Sequence, residues 1–144
     1  MTGIDKWSTI YQTMKERKIA VLALQEMHLD DDLLHSINDC FGKRLSIINS
    51  SLPRNPCMST GVAFVLNRSL IVPKELTATE LIEGHALAIK SKWHHEDEIV
   101  LINVYAPNNR NDHLAFWERI DMERRFKGLR CPDIMLGDFN ITKE

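Results

Sequence analysis

Apolar positions along the chain alternate between helical and extended spacing. Trp7, Ile10, Tyr11 and Met14 recur at i, i+3, i+4 and i+7, one face of an amphipathic helix. Asp5 is placed to cap that helix, and Lys15, Arg17 and Lys18 favour its C-terminal end. "IAVLALQ", Ile19 to Gln25, follows directly; it is continuously apolar and reads as a strand buried on both faces. "DDDLLHSINDCF" predicts a second helix, capped by one of Asp30, Asp31 and Asp32, with Leu33, Leu34, Ile37 and Phe41 as its apolar side. "RLSIINSS" and "GVAFVLN" read as strands on either side of the two-proline loop "LPRNPCMST". "ALAIKSKW" and "IVLINVY" flank the polar "HHEDE" and predict a hairpin. "APNNRND" is a loop, "HLAFWERIDMERRFKG" a helix with Asp112 as cap and Gly128 just past its end, and "DIMLG" the last strand. Strand runs mixed with helices of this kind predict an α/β sandwich with a largely antiparallel sheet.

Composition narrows the class. The 144 residues allow one domain at most, read here as spanning 1–144. With 44% hydrophobic and 26% charged residues the chain is an ordinary globular one. A net charge of −2 is unlike a strongly basic nucleic-acid-binding module, but leaves room for an enzyme in which a metal ion offsets phosphate charge. Cys40, Cys57 and Cys131 are odd in number and widely spaced, so neither a disulfide framework nor a zinc site is indicated, and an intracellular setting, the nucleus included, is expected. The N-terminal residues show no secretory pattern, and no apolar run is long enough to span a bilayer.

Three apolar stretches run into polar clusters: Gln25, Glu26 and His28; Asn103, Tyr105, Asn108 and Arg110; and Asp138 with Asn140 after Gly137. Each has an ordinary structural reading as well. Glu26 fits a solvated loop, Tyr-Ala-Pro-Asn a proline turn, and Gly-Asp-Phe-Asn an Asx-turn. If a sheet gathers them on one rim, Glu26 offers a hard oxygen ligand suited to Mg2+ or Mn2+. Asp138 offers a carboxylate to position a water. Asn140, Asn108 and Tyr105 offer neutral donors to a phosphoryl oxygen, and Arg110 a charge-assisted contact to phosphate. That inventory suits metal-assisted attack of water on a phosphate ester.

Taken in order, "LALQE", "TGVAF", "NVYAPN" and "LGDFN" resemble the endonuclease/exonuclease/phosphatase superfamily. "YAPNNRNDHLAFWERI" leading to "GDFNIT", with the aromatic pair Phe116–Trp117 between, resembles more narrowly the endonuclease domain of non-LTR retrotransposons. The resemblance implies a deoxyribonuclease-like four-layer α/β sandwich. It implies Glu26 as the metal ligand, Tyr105 at the scissile phosphate, and Asn108 in substrate contact. Asp138 would orient or deprotonate water, and Asn140 would steady the phosphate. The implied reaction is single-strand cleavage of DNA with Mg2+, Mn2+ being an alternative.

The sequence departs from that pattern. The family's first strand, with its asparagine near the metal, has no counterpart in "MTGIDK", and its late Asp-His pair has none in the residues after "GDFN". Met27 stands where the family usually has threonine. Of the histidines, His94 and His95 read as hairpin-turn residues and His35 and His113 as helix-surface residues; His28 matches a family position that is not the catalytic histidine, and His85 has no assigned role. The expectation is a truncated domain, incomplete at both ends, impaired or inactive alone, and either marginal in stability, aggregation-prone, or completed by a partner chain. The inner faces of "GVAFVLN" and "IVLINVY" are expected to meet water in part. At roughly 25 cal/mol per Å² that would cost several kcal/mol, against a domain stability of about 5–15 kcal/mol. A phosphatase of the same superfamily, or a non-catalytic remnant that binds nucleic acid or protein, are the alternatives.

Overall fold

The structure, a computed structural model, describes residues 3–27, 29–51, 61–94 and 97–141. The elements are α1 (Gly3–Glu16), β1 (Val21–Gln25), α2 (Asp31–Phe41), β2 (Leu45–Ser51), β3 (Gly61–Asn67), β4 (Thr77–Ile82), β5 (Ala86–His94), β6 (Asp97–Tyr105), α3 (His113–Phe126) and β7 (Ile134–Asp138). They form a three-stranded sheet, β1-β3-β2, and a four-stranded sheet, β4-β5-β6-β7. Every pairing is antiparallel except β6 with β7, which α3 joins as a crossover.

The period-2 alternation of the strands explains the layering. On β3, Ala63 and Val65 face α1 and α2, where they meet Trp7, Met14 and Ile37. The alternate residues Val62, Phe64 and Leu66 face the second sheet and meet Leu87, Ile89 and Tyr105. On β6, Val100, Ile102 and Val104 pack under Phe116 and Ile120 of α3. The order of layers is therefore helices, sheet, sheet, helix, the four-layer α/β sandwich that the family resemblance implies.

Several local expectations need correction. The strand buried throughout is β3, the middle of its sheet; β1 is an edge strand paired only with β3, and its residues are half-buried. The inner face of β3 does not meet water, because the two sheets cover each other there, whereas on β6 the inward-facing Ile99 and Leu101 are only half-buried, so the expectation of partial exposure holds for that strand. Exposed apolar surface also lies on the edge strand β7, where Ile134 and Leu136 are 45% and 36% exposed. Asp5 lies inside the first turn of α1 rather than at its cap. Asp30 is the cap of α2, its carboxylate accepting from Leu33 N at 2.7 Å. Asp112 occupies the cap position of α3 without a side-chain bond to it. Gly128 does end α3, with φ of 71° and the N–H groups of Gly128 and Leu129 returning to Arg125 and Arg124 carbonyls. Strand β4 is unexpected. The hairpin ladder reaches His94↔Asp97, so the polar connection is shorter than its sequence suggests. The loop "LPRNPCMST", with Cys57, and His28 and His95 lie outside the described residues, while Cys40 and Cys131 are free and exposed. Among the described residues no helix is long and apolar enough to cross a membrane.

Candidate functional site

β1, β6 and β7 end on one rim of the sandwich. The two sheets are tied there by Asn103, which is wholly buried. Its Nδ2 donates to the Leu24 carbonyl at 3.0 Å and the Ala63 carbonyl at 2.9 Å. Its Oδ1 accepts from Gln25 Nε2 at 2.7 Å. The side-chain amide is thereby satisfied at both donors and at its acceptor, as burial requires.

Tyr105 lies two residues further along the same face of β6. Its ring belongs to the inter-sheet core and is 6% exposed, and its hydroxyl donates to Glu26 Oε1 at 2.9 Å. Glu26 itself is exposed and leaves β1 with φ of 56°, a left-handed conformation that costs a non-glycine residue about 1 kcal/mol or more. The following residue returns to the fold: Met27 N donates to the Gly61 carbonyl at 3.2 Å, and the Met27 side chain is buried in the core beneath the helices. Methionine at this position thus serves packing, not the rim.

Asp138 pairs with Tyr105 in the parallel register of β6 and β7, so both side chains stand on the same face. Asp138 Oδ1 accepts from Asn140 N at 3.0 Å, and Ala106 N donates to the Asp138 carbonyl at 2.9 Å. Asn140, with φ of 48°, turns back so that its Nδ2 donates to the Ala106 carbonyl. The Asx-turn reading of Gly-Asp-Phe-Asn is therefore correct, and the same turn brings the acid and the amide against the end of β6. Phe139 between them stacks on Trp117, with ring centroids 5.8 Å apart, and Trp117 meets Phe116 edge-on at 5.1 Å. The aromatic pair of α3 anchors the last motif.

Glu26, Tyr105, Asp138 and Asn140 are thus gathered on one rim. Asn108 stands on the exposed loop that follows Pro107, and Arg110 opens a short 3-10 turn, Arg110–Asp112, beyond it. Among the described residues no group of three or more histidines, cysteines, aspartates and glutamates could enclose a metal ion. The donor set is one exposed carboxylate with a second acid nearby. That does not suit a closed structural metal site, but it does suit Mg2+, which keeps several waters and takes one or two carboxylates plus substrate phosphate.

Two histidines contribute more than the sequence suggests. His113, expected on a helix surface, is half-buried, with Nε2 bonded to the Pro107 carbonyl at 2.7 Å. His85, in the turn between β4 and β5, bonds through Nδ1 to the Tyr105 carbonyl at 2.8 Å. No spacing signal marks either residue, because each partner carbonyl belongs to a loop or strand end that only the fold brings near. His35 is exposed beside Asp39, as expected of a surface residue.

The sequence matches no protein-family model and no curated protein. Its fold recurs among solved structures. The endonuclease domain of TRAS1, a telomere-specific non-LTR retrotransposon, superposes with a TM-score of 0.59 at 15% identity, over 92% of this chain and 52% of that one. D. rerio TDP2 complexed with single-strand DNA product gives 0.58 at 10% identity, over 97% and 55%. ANGEL2, a 2′,3′-cyclic phosphatase, gives 0.58 at 20% identity, over 91% and 42%. The chain spans about half the length of the solved chains it matches. What these likenesses establish is architecture: the chain carries the fold of the endonuclease/exonuclease/phosphatase-type proteins.

Proposed function

We propose that this rim is the hydrolytic site of a divalent-metal-assisted phosphodiesterase of the DNA-nicking type. The observation that carries the reading is the Tyr105–Glu26 hydrogen bond, made between the two sheets, with Asp138 in register beside Tyr105. Those residues are 79 apart in sequence in the first case and neighbours on parallel strands in the second, and local structure alone requires neither meeting.

In this reading Glu26 holds Mg2+, or Mn2+ in its place, and the bound ion supplies charge stabilisation for the phosphoryl oxygens. Tyr105 orients the Glu26 carboxylate. Asp138 accepts a proton from the attacking water, and the Asn140 turn fixes that carboxylate. Asn108 and Arg110, both exposed, contact the flanking phosphate backbone. The TRAS1 and TDP2 likenesses support DNA as the substrate, and the resemblance of Phe116–Trp117 to the retrotransposon pattern favours it over the small phosphate esters of a phosphatase. Because the chain spans about half of those neighbours, full activity is proposed to require further polypeptide, supplied in continuity or by a partner chain.

The test has a catalytic arm and a binding arm. Nicking of supercoiled plasmid with Mg2+, weak for this chain alone and stronger once the further polypeptide is supplied, is expected to be abolished by Glu26→Ala and by Asp138→Ala. Independently of turnover, Mn2+ is expected to broaden the ring NMR signals of Tyr105 and to spare those of Tyr11, the second of the two tyrosines. Glu26→Ala should remove that broadening. Equal broadening of both tyrosines, or nicking that both variants retain, overturns the assignment. Release of phosphate from inositol polyphosphates without nicking would select the phosphatase instead.

A further inference from the structure

The segment Tyr105–Ala106–Pro107 has an unusual hydrogen-bonding arrangement. Three successive backbone carbonyls each accept a hydrogen bond from a different side chain: Tyr105 O from His85 Nδ1, Ala106 O from Asn140 Nδ2, and Pro107 O from His113 Nε2. A carbonyl only accepts, so each histidine nitrogen here carries a proton. The donors come from three separate elements: the β4–β5 turn, the loop after β7, and the first residue of α3.

We infer that His85 and His113 are positioning residues that clamp this segment, fixing Tyr105 against Glu26 and aiming the Asn108–Arg110 loop. The functional half of this inference rests on the site reading above; the clamp itself is a statement about geometry. His85 is itself well held. Its backbone exchanges a second bond with the same residue, Tyr105 N donating to His85 O at 2.7 Å. Its ring lies 5.9 Å from the Tyr105 ring and edge-on to Phe116 at 6.2 Å. The turn carrying it is anchored to the opposite sheet. Gly84 N donates to Ser50 Oγ at 2.8 Å, and Ser50 Oγ donates to Glu80 Oε2 at 2.7 Å, with Ser50 only 2% exposed. A connected path therefore runs from Ser50 in the first sheet, through the turn of the second, to Tyr105 and back to Glu26 in the first. In a partly buried network whose members are satisfied, removing one donor strands its acceptor and loosens the rest.

The two histidines use different nitrogens, and this gives a sharp test. An asparagine amide can occupy the place of Nδ1, and a glutamine amide that of Nε2. His85→Asn and His113→Gln should therefore preserve the clamp, whereas His85→Leu and His113→Leu should break it. With ring-13C tyrosine the protein gives signals from only Tyr105 and Tyr11, and Tyr11 lies in the core of the helical side, against Phe41 and beneath Arg44. The expected result is a displaced and broadened Tyr105 signal in both leucine variants, a near-native one in His85→Asn and His113→Gln, and an unmoved Tyr11 in all four. An unmoved Tyr105 in the leucine variants overturns the clamp. So does a displacement in the amide variants as large as in the leucine ones, or one shared by Tyr11, which would mark a general loss of structure. The readout needs neither metal nor turnover, so an inactive chain with the expected pattern retains the clamp while the hydrolase reading fails.

Discussion

Tyr105, from the four-stranded sheet, donates its phenolic hydrogen to Oε1 of Glu26, at the end of an edge strand of the other sheet, at 2.9 Å. The bond joins a buried ring to an exposed carboxylate, so it spends little desolvation on the acid while giving it one orientation. Tyr105→Phe keeps the ring in the inter-sheet core and removes only the donor. Because Glu26 remains hydrated, the stability loss should be modest, about 1 kcal/mol by urea denaturation. On the proposed reading, the larger effect should be on metal binding. Groups that orient a metal ligand typically contribute about tenfold or more to affinity, so Mn2+ titration of Tyr105→Phe should show weaker binding by about that factor.

Asn103 has a different character, because its side chain is wholly buried. Asn103→Ala leaves the Leu24 and Ala63 carbonyls and the Gln25 amide without their partner between the sheets. Such a loss should cost about 3 kcal/mol in equilibrium unfolding. Adding Gln25→Ala to it should cost less than the sum of the two single changes, since both act on one network.

Gly137 precedes the candidate catalytic acid, and its backbone explains why no side chain stands there. Its φ is 139°, and a Cβ at this position would overlap the Val104 carbonyl of the paired strand. Gly137→Ala must push β7 away from β6 next to the Asp138–Tyr105 pairing. A destabilisation of about 3 kcal/mol is expected. It should be accompanied by faster hydrogen exchange at Ala106 N, which bonds the Asp138 carbonyl.

Acid sensitivity should trace in part to Asp133, at the entry to β7. The Arg130 guanidinium bonds its carboxylate, and Val100 N donates to it as well, which together hold its pKa below the ordinary aspartate value. The folded state therefore binds this proton less readily than the unfolded chain does. The stabilisation is fully present above the unfolded-state pKa and is lost as pH falls through the lower, folded one. Asp133→Asn should flatten the acid limb of the stability-versus-pH curve in that window, as read by thermal unfolding from neutral to strongly acidic pH, and leave the neutral-to-alkaline limb unchanged.

Most of the elements were legible in the sequence because they are local facts. The 3.6-residue recurrence of Trp7, Ile10 and Met14 declares a helix, and the alternation along β6 declares two apolar faces, whatever the rest of the chain does. The motifs at the ends of β1, β6 and β7 were legible for the same reason, as polar residues closing apolar runs. Other features depended on neighbours. Ile19 to Gln25 and Gly61 to Asn67 look equally apolar, yet one became a half-buried edge and the other a wholly buried centre, because burial follows strand order and strand order is not written in periodicity. "TATELI" carries a polar pattern and becomes β4 only by pairing with β5. By itself the sequence determined most of the helices and strands and which residue types stand at the ends of apolar runs. Only the tertiary structure decided that Tyr105 meets Glu26, that Asp138 stands beside them, and that His85 and His113 hold the segment between, since those contacts exist only once two sheets have closed on each other.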